Sequence, residues 1–311
     1  MPIIEVEGLV KTYAGTNVVD GITFAVDEGE IFGIVGPNGA GKTTTVESVI
    51  GLRKPDAGQI SVLGLDPIKD RFELTEQVGA QLQESRLQDK IRVSEAIQTY
   101  ASFYRNPQDW RTLLDQLGLG AKADTRYSNL SGGQKQRLSV ALALVGSPRI
   151  AILDELTTGL DPQERRSTWA TIEQIRDDGV TVVLVTHFME EAERLCDRIM
   201  VIDHGRVAAQ GTPTELIERI GGDQLLRFRP SEPIDDADLE ELGEVDSVEH
   251  IGSNVLVTGH GNVVHAVTSL LAQRRIIAHD FRVDQTGLED AYLEITSHQA
   301  DTRKHGEREA S

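Results

Sequence analysis

The sequence predicts an α/β fold: a mainly parallel sheet that opens onto a ligand site, followed by a small α+β module. Three observations predict it. Apolar runs at 31–35, 149–155 and 180–187 read as buried strands, each ending at glycine or at polar residues. The first is followed by a glycine-rich turn and a helix. From about Gly221 the pattern changes to short strands around two short helices.

The chain has 311 residues, enough for a domain of about 200 residues and a smaller one. Hydrophobic residues make up 39% and charged residues 26%, and no apolar run reaches the roughly 18 residues of a membrane span. The opening MPIIEVEGLVKTY lacks an export pattern, and the single cysteine, Cys196, has no partner for a disulfide, so the sequence points to the cytoplasm. Cys196 sits in a helical pattern and is read as packed and inert. A net charge of −19 opposes binding to nucleic acid and direct contact with an anionic membrane surface. The acidic stretch SEPIDDADLEELGEVD is read as solvated.

The first element with chemistry is GPNGAGKTT, after the strand at 31–35. In the loop formed by Gly36, Pro37, Asn38, Gly39, Ala40 and Gly41, the three glycines let backbone N–H groups close on phosphate oxygens. Lys42 supplies a cation for the β and γ phosphates, and Thr43, followed by Thr44, offers a hydroxyl to Mg²⁺. The ligand is therefore read as a nucleoside triphosphate. In RIAILDE, an apolar strand ends in two carboxylates: Asp154 on the magnesium side and Glu155 placed to polarise the attacking water. A third strand, VTVVLVTH, brings His187 to the same edge as a γ-phosphate contact.

Between these lies LSGGQKQRL. Ser131 caps a helix whose apolar positions Leu138, Ala141, Leu142 and Val145 recur at helical spacing. Gly132 and Gly133 leave its first turn bare, so it admits an anion without a lysine to hold it. By itself this reads first as an ordinary capped helix.

Taken in order, GPNGAGKTT, LSGGQKQR, AILDE, TTGLD and TH resemble the ATPase cassette of ABC proteins over about residues 2 to 220. The resemblance implies a P-loop NTPase cassette at 1–222 with a helical subdomain at about 84–146, while the pattern beyond it reads as an accessory α+β domain at 223–298 and the composition of 299–311 as a disordered tail. It implies ATP and Mg²⁺ as cofactors and a homodimer whose two ATP sites are crossed. Ser131, Gly132, Gly133 and Gln134 of one copy would close over ATP held by the other. Tyr13 matches the aromatic that stacks on adenine, with a plain loop tyrosine as the alternative. Gln83 resembles the glutamine that touches Mg²⁺ and senses the membrane subunit; Gln81 is the rival, but the offsets from Gln83 to Leu87 and to Val93–Glu95 fit better. Asp161 matches the residue that crosses the dimer interface, and His187 the switch histidine. Leu156 departs from the family's proline after the catalytic carboxylates, which loosens the expected geometry of the following loop.

Longer stretches, such as SGGQKQRLSVALALVGSPRIAILDELTTGLDP, resemble the ATPases of ABC-2-type exporters of the daunorubicin-resistance kind. That implies a separate permease chain and efflux of a drug-like or lipophilic substrate, with a non-transport ABC ATPase as the alternative. The permease contact is expected at about Gln83 to Tyr104, through Leu87, Ile91, Val93 and Phe103. The C-terminal module carries no site motif and is expected to steady the dimer or cover the cassette.

Overall fold

The computed structural model describes residues 2–82, 87–219, 224–285 and 287–296. The chain divides into two compact units, Met1–Pro213 and Thr214–Ser311. The change in sequence texture near Gly221 lies outside the described residues, so compactness alone sets the division at Pro213.

The first unit begins with β1 (Pro2–Tyr13) and β2 (Thr16–Asp27), an antiparallel hairpin. Its two-residue loop, Ala14 and Gly15, has positive φ at both positions, as a right-twisted hairpin demands. Next come β3 (Ile31–Val35), α1 (Lys42–Val49), β4 (Ala57–Val62), α2 (Arg71–Thr75) and β5 (Val78–Gln81). The helices α3 (Val93–Ala101), α4 (Trp110–Gln116) and α5 (Gly132–Leu144) lead to β6 (Ile150–Asp154). The unit continues with α6 (Pro162–Asp177), β7 (Thr181–Thr186), α7 (Met189–Leu195), β8 (Arg198–Asp203) and β9 (Arg206–Gly211). A short helix, α8 (Pro213–Glu218), stands where the units divide.

Strands β5-β6-β7-β3-β8-β9 form one sheet in that order. It is parallel except for the antiparallel pair β8 and β9. Every residue of β3, β6 and β7 is buried, which explains their unbroken apolar text. A second, three-stranded antiparallel sheet, β2-β1-β4, packs its apolar face, including Ile4, Leu9, Ile22 and Phe24, into a common core with Phe32, Ile34 and Val46. Phe24 and Phe32 stack with centroids 5.5 Å apart. The central sheet thereby directs the carboxyl ends of β3, β6 and β7 to one edge, where such folds bind ligands.

In α3, Val93, Ala96 and Ile97 form the buried stripe. Val93 is 0% exposed and so corrects its assignment to a contact surface, whereas Phe103 is 69% exposed.

The second unit runs β10 (Gln224–Pro230), α9 (Asp236–Glu240), β11 (Val245–Ile251), β12 (Asn254–Gly259), α10 (Val263–Arg274) and β13 (Ala278–Gln285), with 288–296 also helical. The sheet order β11-β12-β10-β13, all antiparallel, makes this a βαββαβ unit of the ferredoxin-like kind. Leu226, Phe228, Val255, Val257, Val263 and Val267 fill its core. The acidic stretch is not wholly solvated. Asp235 caps α9, its carboxylate accepting the Ala237 N–H at 3.2 Å, while Ile234 and Leu239 are buried.

Candidate active site

The phosphate loop is shaped by close backbone approach. A Cβ on Gly36 would lie 2.2 Å from the Ile202 carbonyl oxygen, and one on Gly41, at φ 104°, 2.6 Å from the Val18 carbonyl oxygen. Only glycine fits either position. Pro37, Asn38 and Gly39 are exposed, Ala40 is buried, and the Ala40 N–H donates to the Pro37 carbonyl at 3.2 Å. Gly41 caps α1 with no side chain, leaving the helix's first N–H groups to whatever anion the loop receives. Lys42 is 5% exposed, and its Nζ donates to the carbonyls of Gly36 at 2.8 Å and Pro37 at 3.1 Å. Burial lowers its pKa, against the pull of Glu155 and Asp154. Thr43 and Thr44 on the same turn are half-buried.

Asp154 ends β6 at 1% exposure, and neither carboxylate oxygen has a hydrogen-bond partner of good geometry. Burial, then repulsion from Glu155, raises its pKa to about 6; Lys42 and the nearby Thr43 hydroxyl oppose the rise. An orphaned buried carboxylate beside a threonine hydroxyl suits a divalent cation. That donor set, one carboxylate and one hydroxyl, fits Mg²⁺, which takes one or two protein oxygens together with substrate phosphates.

Glu155 follows with φ 50°, a left-handed conformation that is strained for a non-glycine residue. Its N–H donates to the Val185 carbonyl at 2.9 Å, which fixes the turn against β7. The carboxylate is 8% exposed and its Oε1 lies 3.1 Å from His187 Nδ1. With Glu155 ionised, that bond needs its proton on Nδ1, so a neutral His187 presents Nε2 as an acceptor. The Thr186 hydroxyl accepts the Phe188 N–H at 3.0 Å and so shapes the turn that carries His187. Leu156 is 0% exposed, so apolar anchoring stands where a proline ring would restrict the backbone.

A second cluster forms at the start of α5. Ser131 Oγ accepts the Gln134 N–H at 3.2 Å and Gln134 Oε1 accepts the Ser131 N–H at 3.0 Å, a reciprocal capping box. Ser131 Oγ also reaches Glu164 Oε1 at 3.3 Å. Gly132 is exposed, whereas a Cβ on Gly133 would come within 2.7 Å of that carboxylate. Asp161 caps α6, accepting from the N–H groups of Gln163 at 2.9 Å and Glu164 at 2.8 Å. A cavity of about 180 Å³ between α5 and α6 is lined by Gly133, Arg137, Asp161 and Glu164 among others.

Tyr13 ends β1 at the hairpin loop, 38% exposed. Arg53 Nη1 donates to its hydroxyl at 2.6 Å, and the guanidinium lies 5.5 Å from the ring centroid. Arg53 in turn pairs with Glu47. Gln83 lies outside the described residues. Its rival Gln81 is 8% exposed, and its Oε1 accepts the Asp154 N–H at 3.3 Å, tying β5 to β6. Cys196 is buried against Gly33, and burial holds its thiol pKa far above the usual value, which removes it from thiolate chemistry.

Sequence reasoning did not single out Arg53, Glu164 or the buried pair Trp169 and Glu191. The only local signal for Arg53 is a cation four residues past the end of α1; the others act through contacts distant in sequence.

Comparison with known proteins agrees with this geometry. The ABC transporter family model matches residues 19–158. The chain is 40% identical over 302 residues to the Nod factor export ATP-binding protein I of Paraburkholderia xenovorans, covering 94% of this chain and 96% of that one. It is 43% identical over 221 residues to the protein of the same name from Ralstonia nicotianae, covering 70% of this chain and 69% of that one. A solved ATP-binding subunit of an ABC transporter, at 29% identity, superposes with a TM-score of 0.64 over 70% of this chain and 93% of its own. The cbiO1 protein of Clostridium perfringens, part of the ABC transporter complex cbiONQ, gives 30% identity and a TM-score of 0.64 over 70% of this chain and 92% of its own. The chain belongs to the ABC transporter family as an ATP-binding protein, and it is an ATPase.

Proposed function

We propose that this chain powers an exporter of the ABC-2, daunorubicin-resistance type, as a homodimer bound to a separate permease that passes a drug-like or lipophilic substrate. The observation that carries the hydrolytic half of this reading is the Glu155–His187 contact beside the orphaned Asp154. Support for the export half comes from relatives whose names describe Nod factor export.

In this reading the N–H groups from Gly39 to Thr44 and the Lys42 ammonium hold the ATP phosphates. Thr43, Asp154 and Gln83 would hold Mg²⁺, which when bound neutralises charge on the transferred phosphoryl group. Glu155 orients the attacking water and accepts its proton as the bond from the γ-phosphorus to the β–γ bridging oxygen breaks, giving ADP and phosphate. His187 donates from Nδ1 to Glu155, and as the imidazolium, with both ring nitrogens protonated, it would also donate from Nε2 to the γ-phosphate. Tyr13 stacks on the adenine, oriented by Arg53. Ser131, Gly132, Gly133 and Gln134 close over ATP on the second copy, with Asp161 at the seam; the bare, exposed Gly132 leaves room for a phosphate there.

The permease contact is placed on the helical side of the cassette. Phe72 on α2 is 92% exposed beside a groove of about 600 Å³ lined by Glu73, Glu76, Arg105 and Gly146, which extends the expected Gln83–Tyr104 surface. Exposed aromatics at a groove suit an amphipathic helix. Among the described residues no helix is long and apolar enough to cross a membrane. Residues 1–222 form the cassette and 223–298 an accessory domain that steadies the dimer; a chain ending at 222 should keep ATP binding and lose dimer strength.

Co-expression with a candidate permease chain tests the export reading. The ATPase should then fractionate with membranes, and Phe72→Ser should return it to the supernatant. A chain that binds protein-free anionic vesicles by itself, or ignores the permease, would overturn this.

A further inference from the structure

Glu191, on α7, is a carboxylate at 0% exposure. Ionised side chains are almost never so buried without a purpose that repays their lost hydration. The Trp169 indole N–H, on α6, donates to its Oε1 at 3.1 Å. Burial raises its pKa, while the hydroxyls of Thr186 and Thr157, the indole and Arg165 oppose the rise. Thr186 and Thr157 are themselves only 1% and 2% exposed.

These partners flank the hydrolytic pair. Thr186 directly precedes His187, and its hydroxyl also accepts the Phe188 N–H, so one oxygen spans the histidine. Thr157 follows Glu155 by two residues, at the start of the segment that leads to Asp161. Glu191 therefore stands behind both the turn that carries His187 and the loop that leaves Glu155. The contact is incompletely closed, since neither Glu191 Oε2 nor the Thr157 hydroxyl makes a hydrogen bond of good geometry. A buried acceptor and a buried donor left open beside each other are a bond that a small shift of the loop would complete.

We propose that Glu191 is a positioning residue: it couples the loop from Thr157 to Asp161 to the placement of His187 against Glu155, so that loop position sets hydrolytic alignment. This rests on the reading of Glu155 and His187 as the hydrolytic pair. A purely structural carboxylate would be replaced by its isosteric amide with little change in turnover. A coupling carboxylate would not, because the amide cannot accept from the indole and both hydroxyls together.

The test is a double-mutant cycle in the full-length protein, read as kcat, as ATP affinity without turnover, and as thermal melting. Glu191→Gln should lower kcat about tenfold, as sub-ångström misalignment of a catalytic group does, with ATP affinity unchanged within about twofold. In a His187→Ala background the same substitution should cost less than about twofold, because the residue it positions is gone. Thr157→Val, which keeps shape and deletes the hydroxyl, should lower kcat in the same direction, and it serves as the readout if Glu191→Gln melts early. Unchanged kcat in Glu191→Gln, or an equal loss in both backgrounds, overturns the coupling while leaving the hydrolytic pair intact. Wild-type turnover in His187→Ala alone overturns the pair itself, and the coupling with it.

Discussion

At the end of β6, Asp154 keeps two buried carboxylate oxygens without a bond and Glu155 holds a left-handed backbone, while at the starts of α5 and α6 Ser131, Gln134, Asp161 and Glu164 bond one another. Both regions surround phosphate chemistry in the proposed dimer, but they treat charge in opposite ways. In the first, Asp154 holds an unpartnered carboxylate and Glu155 a strained backbone, which a reaction can use because a bound cation and substrate would relieve them. The second is already satisfied and offers a bare glycine surface, which suits a part that has only to close over a neighbour's ligand. If the difference is real, substitutions in the first region should change chemistry, and those in the second should act across the interface.

The largest effect should come from Glu155→Gln. Loss of the water-orienting base commonly costs about 10² to 10⁴ in rate, and the substitution leaves Lys42 and the loop untouched. ATP binding should persist, and the variant should elute as an ATP-dependent dimer in size-exclusion chromatography. A monomeric variant with normal turnover would erase the contrast between the two regions.

Crossing the sites sharpens the contrast. Gly133→Asp sets a carboxylate at the start of α5, already crowded by Glu164, and Lys42→Ala removes the phosphate cation. In a mixed dimer with one chain carrying both changes, each composite site contains one lesion and turnover should nearly vanish. With the changes on opposite chains both lesions fall in one site, and roughly half the activity should survive if the sites act independently. The reverse outcome would place each start of α5 over its own phosphate loop.

A third measurement isolates the stored charge. The folded pKa of Asp154 is raised from 3.8 to about 6, so the native state binds more protons than the unfolded state between those values, and stability falls as pH rises through this window. Above pH 6 the ionised group costs about 2 to 3 kcal/mol. Asp154→Asn removes that cost, so the nucleotide-free variant should melt several degrees higher at pH 7.5, and the gain should vanish as pH falls towards 4. Its Mg²⁺-dependent hydrolysis should collapse over the same neutral range.

How much of this was legible in the sequence follows from where each signal lies. Buried parallel strands announce themselves as unbroken apolar text, so 31–35 coincides with β3, and Asp154, Glu155 and His187 fall at the edge their strand ends imply. The cap at Ser131 is equally local. The hairpin of β1 and β2 escaped notice because register shifts break its alternation, one between Pro2 and Ile4, where Ile3 and Ile4 are buried in succession, and another between Val6 and Leu9. Val93 looked like surface because it opens α3 amid charged text, but its stripe with Ala96 and Ile97 turns inward. Trp169 and Glu191 meet only through the tertiary fold, and no spacing rule joins them.

The smallest expected effect concerns Arg53, which belongs to neither region and so marks the floor of the comparison. Its guanidinium fixes the Tyr13 hydroxyl at 2.6 Å and is itself tied to Glu47, holding the ring at the tip of the hairpin. The Arg53 side chain is 40% exposed, and pairs that open to solvent contribute at most about 1 kcal/mol. Arg53→Ala should therefore weaken ATP binding by no more than about fivefold, through a less ordered aromatic platform, and leave kcat at saturating ATP unchanged. Tyr13→Ala should lose more, since it removes the stacking surface itself. Nucleotide titrations of the two variants with ATP and with a triphosphate lacking the base separate the contributions, because triphosphate affinity should not respond to either change. A fall in kcat for Arg53→Ala would instead tie this platform to the catalytic edge through Glu47 and α1.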